Sequence, residues 1–331
     1  MNSITELLCD MNKGMILLKQ PEFDKLYTKT EVKPEDIKRL QNLSLEMFKY
    51  FKQICEKNNL RFFFCGGCCI GALRHKGFIP WDDDIDVFMP REDYEKLEEI
   101  WHKCADEERY RICRTSKTEY TRIQFITISD ENTTFIKTRQ ADLDIPHGLR
   151  LDVIPIDGSP DSAFKRKIQM MWALIYSMFL NGEPHTSKGK LLEFLSKTAL
   201  FFFPTVKSRY KIWRFAEKQM SKYPLATSNY AKELCVWFEV MKRDYPARLF
   251  QDVTYREFEG ISCPIPIGYD EYLKMAFTGN YMDLPPIEQQ QPKHEIVFYD
   301  LDNSYKKYRG IEYMKTPVDK KYRVKNEDSK L

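Results

Sequence analysis

Apolar and polar positions repeat along much of the chain with recognisable periods. From Pro34, apolar residues recur at Ile37, Leu40, Leu43, Met47, Phe48, Phe51, Ile54 and Cys55, the spacing of one helix face. Pro34 suits a first-turn position, Glu35 and Asp36 suit a helix N-terminus, and Asn58-Asn59 stops the run, so a helix is predicted over 34–57. A short apolar strand over 60–65 follows, then Gly66-Gly67, a brief helix over 68–73 and a loop through Gly77 and Pro80. A strand is predicted from Asp84, and a helix from Pro90 to Cys104 with Tyr94, Leu97 and Trp101 on one face. Extended segments are predicted at 110–114, 122–129, 133–137 and 149–156, with Asp157-Gly158 closing the last of them as a turn.

After Pro160 the pattern becomes helical, with apolar runs at 170–180 and 191–206. Residues 160–220 hold eleven Lys/Arg against four Asp/Glu, a local excess of seven positive charges. The expected organisation has an N-terminal extension (1–33), an α/β catalytic core (34–158) and a basic, apolar helical insertion (159–222). A C-terminal part (223–314) completes the core domain, and a charged tail (315–331) ends the chain. Apolar runs flanked by Lys/Arg suit a membrane surface as well as they suit an ordinary helical subdomain.

Composition narrows the class. The chain has 331 residues with 43% apolar, enough for a sizeable core, and 31% charged with a net charge of only +3. That balance leaves no chain-wide electrostatic footprint for nucleic acid. Nine cysteines, odd in number and unevenly spaced, fit reduced thiols. Glu6 and Asp10 interrupt the stretch that a secretory leader would keep apolar, so a cytoplasmic protein is expected.

The chemistry concentrates at Asp82-Asp83-Asp84-Ile85-Asp86. On an extended backbone Asp84 and Asp86 share one face while Ile85 and Val87 point into the core. Carboxylates so placed repel unless a cation lies between them, and Mg²⁺ (or Mn²⁺) suits a few carboxylates plus phosphate oxygens. Asp152, a lone acid in an otherwise apolar strand, is the candidate third acid, with Asp157 as second choice. Asp82, Asp84 and Asp86 also match the first positions of a calcium loop, but Val87 stands where that loop needs glycine. Arg74, His75 and Lys76 supply the cations a diphosphate needs, and Gly66-Gly67 permits close backbone approach to an anion. Cys65-Gly66-Gly67-Cys68 also reads as C-x-x-C, a redox pair or zinc half-site with no second half in the sequence.

The run from Gly66 through Asp86 closely resembles the LicD family signature. So do Arg91-Glu92-Asp93-Tyr94, the segment Leu151 to Asp157, Pro264 to Gly268 with Tyr272-Leu273, and Tyr281 to Pro286 with nearby His294. The resemblance spans about residues 35–300. It implies a nucleotidyltransferase-like α/β core with a mixed sheet, with Asp84 and Asp86 as metal ligands and Asp82 as helper. Asp152 is then third ligand or base for the acceptor hydroxyl, and Arg74, His75 and Lys76 meet the donor diphosphate. Trp81, Tyr281, Met282 and Pro285-Pro286 would wall the nucleobase or a choline head group. The implied reaction moves a phospho-alcohol, phosphocholine above all, from a CDP-linked donor to a glycan or lipid-linked glycan, releasing CMP. A nucleotidyltransferase releasing pyrophosphate from an NTP is the alternative, and a non-catalytic nucleotide- or glycan-binding protein is another. Cys68 and Cys69 stand where relatives often carry small or hydroxylated residues.

Overall fold

The structure, a computed structural model, describes residues 26–184, 190–277, 279–292 and 294–315. Most of the expected N-terminal extension and nearly all of the charged tail lie outside these residues. The chain forms a mixed α/β fold around a seven-stranded sheet. Helix α1 (Pro34–Lys57) has Pro34 in its first turn and Lys57 in its last, and buries Leu40, Phe48, Phe51 and Ile54. Strand β1 (Phe63–Phe64) pairs antiparallel with β2 (Ile85–Pro90), and between them runs α2 (Gly66–Arg74). Helix α3 (Arg91–Cys104) follows β2, then β3 (Tyr110–Cys113), β4 (Ile126–Asp130), β5 (Thr134–Lys137) and β6 (Arg150–Ser159).

The order β1-β2-β6-β4-β3 places β2 beside β6, the one parallel pair of this path. The register sets Asp86 against Asp152, with Ile85, Val87, Leu151 and Val153 fully buried. Neighbouring strands lie about 4.8 Å apart, so both acids reach one point in space. Strand β6 does not stop at a turn after Ile156. Asp157, Gly158 and Ser159 continue it by pairing with β7 (Tyr230–Lys232), which in turn pairs with β8 (Tyr245–Pro246).

Three helices, α4 (Ala163–Asn181), α5 (Lys190–Phe202) and α6 (Val206–Met220), leave the end of β6 and enclose a separate apolar cluster that includes Ala173, Trp213 and Met220. Pro204 breaks the second apolar run, and Thr205 caps α6 in a reciprocal capping box with Ser208. A short helix, α7 (Phe238–Met241), precedes the hairpin of β9 (Val253–Phe258) and β10 (Ile261–Pro266) and helix α8 (Tyr269–Ala276). From this C-terminal stretch Phe250, Phe258, Ile265 and Tyr272 return to the main core. Strand β11 (Ile296–Asp300) pairs with β5, opposing Ile296 to Lys137.

A buried ionic cluster fixes the helical segment to the sheet. Arg91 donates to both carboxylate oxygens of Asp157 at 2.7 and 2.8 Å, and its other terminal nitrogen lies 3.4 Å from Glu217 of α6. Arg114 donates to the same Glu217 oxygen at 3.0 Å and to Glu95. Both guanidinium groups lie over the Tyr94 ring. Asp157, the second choice for the third acid, is therefore committed to Arg91 at the far end of its strand.

Candidate active site

Asp86 and Asp152 face each other across β2 and β6, and Asp84, just before the first paired residue of β2, lies near enough for its charge to act on Asp86. The segment is anchored from beneath by Cys68 of α2, whose Sγ accepts the Asp86 amide at 3.4 Å and lies 3.7 Å from the Asp84 carbonyl. Burial, then the charges of Asp84 and Asp152, push the Asp86 carboxyl well above the ordinary carboxylate range. Asp152 Oδ1 is buried and accepts no hydrogen bond among the described residues. An acid forced toward protonation beside an orphaned carboxylate oxygen is the arrangement a divalent cation relieves.

His294 sits above this group, with Nδ1 2.8 Å from Asp83 Oδ1 and Nε2 3.1 Å from Asp84 Oδ2. Burial and Lys137 pull the imidazole down, but Asp84 and Asp83 outweigh them and leave it pushed up to about 10, so it is an imidazolium at neutral pH. The same charge and hydrogen bond offset the burial of Asp84 and hold its carboxyl below the usual value. Asp83, Asp84 and His294 also lie close enough together to share an ion. There the imidazolium already supplies the counter-charge, whereas for Asp86 the charge of Lys137 is outweighed by burial and by the neighbouring acids. Lys137 and Asp83 escaped the sequence reading. Lys137 ends a strand remote in sequence, and Asp83 precedes the first paired residue of β2, so strand alternation does not govern where it points.

The glycine pair lies at the start of α2. Gly66 has φ of +49°, and its amide donates to the Tyr272 hydroxyl at 3.1 Å. A Cβ on Gly67 would collide with Asp82 Oδ2, so glycine there lets Asp82 stand against the helix N-terminus. Gly67→Ala is expected to displace Asp82 and lower turnover on the order of tenfold to a hundredfold. Steady-state kinetics with a melting curve check this, and loss of fold with unchanged specific activity would contradict it.

The basic trio is not brought to the acids. Arg74 ends α2, about 10 Å along the helix axis from Gly67, with His75 as its cap and Lys76 just beyond. Arg74 donates to the carbonyls of Tyr281 at 3.0 Å and Asp283 at 2.7 Å. His75, lowered by burial and by Arg74, takes a weak hydrogen bond from Arg74, and Lys76 lies 3.8 Å from Glu257 on the surface. The Arg74 contacts tether the loop that runs on to Pro285 and Pro286. Trp81 is half-buried against the main core, and Pro286 opens a 3₁₀ turn over Ile287–Gln289. Cys65 and Cys68 are buried, and burial pushes both thiols well above their ordinary value, which removes the thiolate a redox pair needs.

A hydrogen-bonded wall backs the glycine turn. Tyr245 donates to Glu233 at 2.8 Å and packs edge-on against Tyr272. Burial holds the Glu233 carboxyl up to about 7. A raised acid stabilises the fold below its unfolded pKa and loses that contribution as pH rises through 7. Glu233→Gln is therefore expected to gain stability over the wild type between about pH 5 and pH 8, on the order of 2 to 3 kcal/mol, from the shift to about 7. Denaturant melts at the two pH values test it, and a constant difference would refute it.

Acids on adjacent strands of a mixed α/β sheet, faced by a histidine and a lysine, suit transfer of a phosphate-linked group. The sequence profile described as "LicD/FKTN/FKRP, nucleotidyltransferase domain" matches residues 59–144. The chain is 30% identical over 278 residues to the lipopolysaccharide cholinephosphotransferase LicD of Haemophilus influenzae, covering 80% of this chain and 98% of that relative. An uncharacterized protein of Rickettsia prowazekii is 32% identical over 92 residues, covering 25% of this chain and 35% of its own length. The chain belongs to the LicD family and is a phosphotransferase.

Proposed function

We propose that the protein transfers phosphocholine from CDP-choline to a hydroxyl of a lipopolysaccharide-type, lipid-linked glycan, with CMP as the leaving group. The similarity to a lipopolysaccharide cholinephosphotransferase over nearly that relative's whole length carries the donor group and acceptor class. The reading is supported at the site by Asp86 opposite Asp152, with Asp84 alongside. These three carboxylates would hold Mg²⁺ or Mn²⁺, and Asp82 would assist from the glycine turn. When bound, the cation would neutralise the phosphates and favour departure of CMP.

The remaining work falls to side chains. Lys137 receives donor phosphate oxygens, the part the sequence assigned to Arg74, His75 and Lys76, while His294, its two N–H groups held by Asp83 and Asp84, adds positive charge beside them. Asp152, through the carboxylate oxygen that does not hold the cation, takes the proton of the attacking hydroxyl as the hydroxyl oxygen bonds to the choline-bearing phosphorus. The bond from that phosphorus to the CMP oxygen breaks. Pro285, Pro286 and Trp81 would wall the head group and base.

Release of CMP from CDP-choline, CDP-ethanolamine, CDP-ribitol and CDP-glycerol, with Mg²⁺ and with acceptor glycan, tests the reading. CMP from CDP-choline, lost in Asp84→Asn, is expected. Pyrophosphate from an NTP with no CMP from any CDP donor would replace it with nucleotidyl transfer.

A further inference from the structure

Helices α4, α5 and α6 bury one set of apolar residues and expose another. On α5, Phe194, Leu195, Phe201 and Phe202 are 42–69% exposed, while Leu200 and Ser196 on the opposite side are buried. Phe194, Phe201 and Phe202 lie along one helical stripe with Thr198, so α5 turns three aromatic rings away from the protein. Phe164 and Ile168 on α4 are also exposed, and Phe215 of α6 packs against Trp172 of α4. Eight of the eighteen exposed large hydrophobic side chains among the described residues lie on these three helices. An apolar surface of that kind marks a contact the isolated chain does not make.

The neighbouring charge identifies what it contacts. The outer stripe of α6 is Lys207, Lys211, Phe215 and Lys218, all exposed, and the three lysines make no ion pair among the described residues. The only acid of the helix, Glu217, is turned inward to Arg91 and Arg114. Aromatic side chains beside unpaired lysines match an anionic bilayer, where rings enter the acyl boundary and lysines meet phosphate headgroups. A second copy of the chain fits less well, because docking this face on itself would bring two lysine rows together. No helix among the described residues is long and apolar enough to cross a membrane, which leaves a contact lying on the surface.

We infer that the outer faces of α4, α5 and α6 dock the protein on an anionic lipid surface. That this contact serves a lipid-linked acceptor rests on the function proposed above. The docking itself needs neither donor nor acceptor, so either reading can fail without the other.

Flotation of the full chain with phosphatidylglycerol-containing vesicles, against pure phosphatidylcholine vesicles, tests the inference. Binding is expected to the anionic vesicles and to fall with salt. It should weaken at least about tenfold in Phe194→Ser/Phe201→Ser/Phe202→Ser and in Lys207→Glu/Lys211→Glu/Lys218→Glu. All these side chains are exposed, so circular dichroism and metal-dependent CMP release into water should match the wild type. Absence of flotation, equal flotation of wild type and variants, or a dimer that the phenylalanine variant dissociates without any lipid binding would overturn it.

Discussion

Replacing Asp86 by asparagine is expected to lower turnover on the order of a hundred- to a thousandfold while making the metal-free protein more stable. Both effects have one cause. Asp86 lies against Asp152 across the parallel strand pair, buried, with its carboxyl well above the ordinary range. A group raised in this way costs the fold stability as pH rises past the ordinary carboxylate value. At pH 7 without divalent cation, the variant should therefore melt above the wild type. Added Mg²⁺ should stabilise the wild type and not the variant. Melting curves with and without Mg²⁺, beside the kinetic assay, separate this from simple misfolding. A variant that is inactive and also less stable without metal would count against the site as described.

The second large effect lies away from the chemistry. Removing the Asp157 carboxylate by Asp157→Leu leaves the Arg91 guanidinium buried without its bidentate partner, and should cost about 3 to 5 kcal/mol. The double replacement Arg91→Met/Asp157→Leu should recover much of the loss, because a buried pair exchanged for apolar groups is often neutral. Catalysis per folded molecule should change little in the double variant, since Asp157 stands five residues beyond Asp152 and turns to α3 and α6. Denaturant titration of both variants decides the matter, and equal destabilisation of single and double variants would remove the argument.

What the sequence revealed and what it hid have separate physical origins. Helix α1 begins and ends where its pattern puts it, because an amphipathic repeat, a first-turn proline and the terminal asparagines agree. Asp86 and Asp152 were legible because an acid within an apolar strand needs a reason, whereas the strand expected from Asp84 begins at Ile85, so alternation does not place Asp84. Tertiary pairing decided the rest. The strand expected over 60–65 shrinks to Phe63–Phe64, the stretch that β2 hydrogen-bonds, while β6 runs on through Asp157-Gly158 because β7 pairs with it. Arg74, His75 and Lys76 lie between the glycines and the aspartates in sequence. A nine-residue helix carries them away from the acids, where Arg74 serves the 281–283 loop. Lys137 reaches the site only through the pairing of β5 with β11, and His294 precedes that second strand, so no local spacing links either to the aspartates.

The central claim is phosphocholine transfer at Asp84, Asp86 and Asp152. Mass spectrometry of lipopolysaccharide incubated with the protein, CDP-choline and Mg²⁺ tests it most directly. The account predicts glycan carrying one added phosphocholine per modified site and an equal amount of CMP, both absent with Asp86→Asn. Unmodified glycan alongside stoichiometric CMP and free phosphocholine, or a glycan carrying CMP, would contradict it.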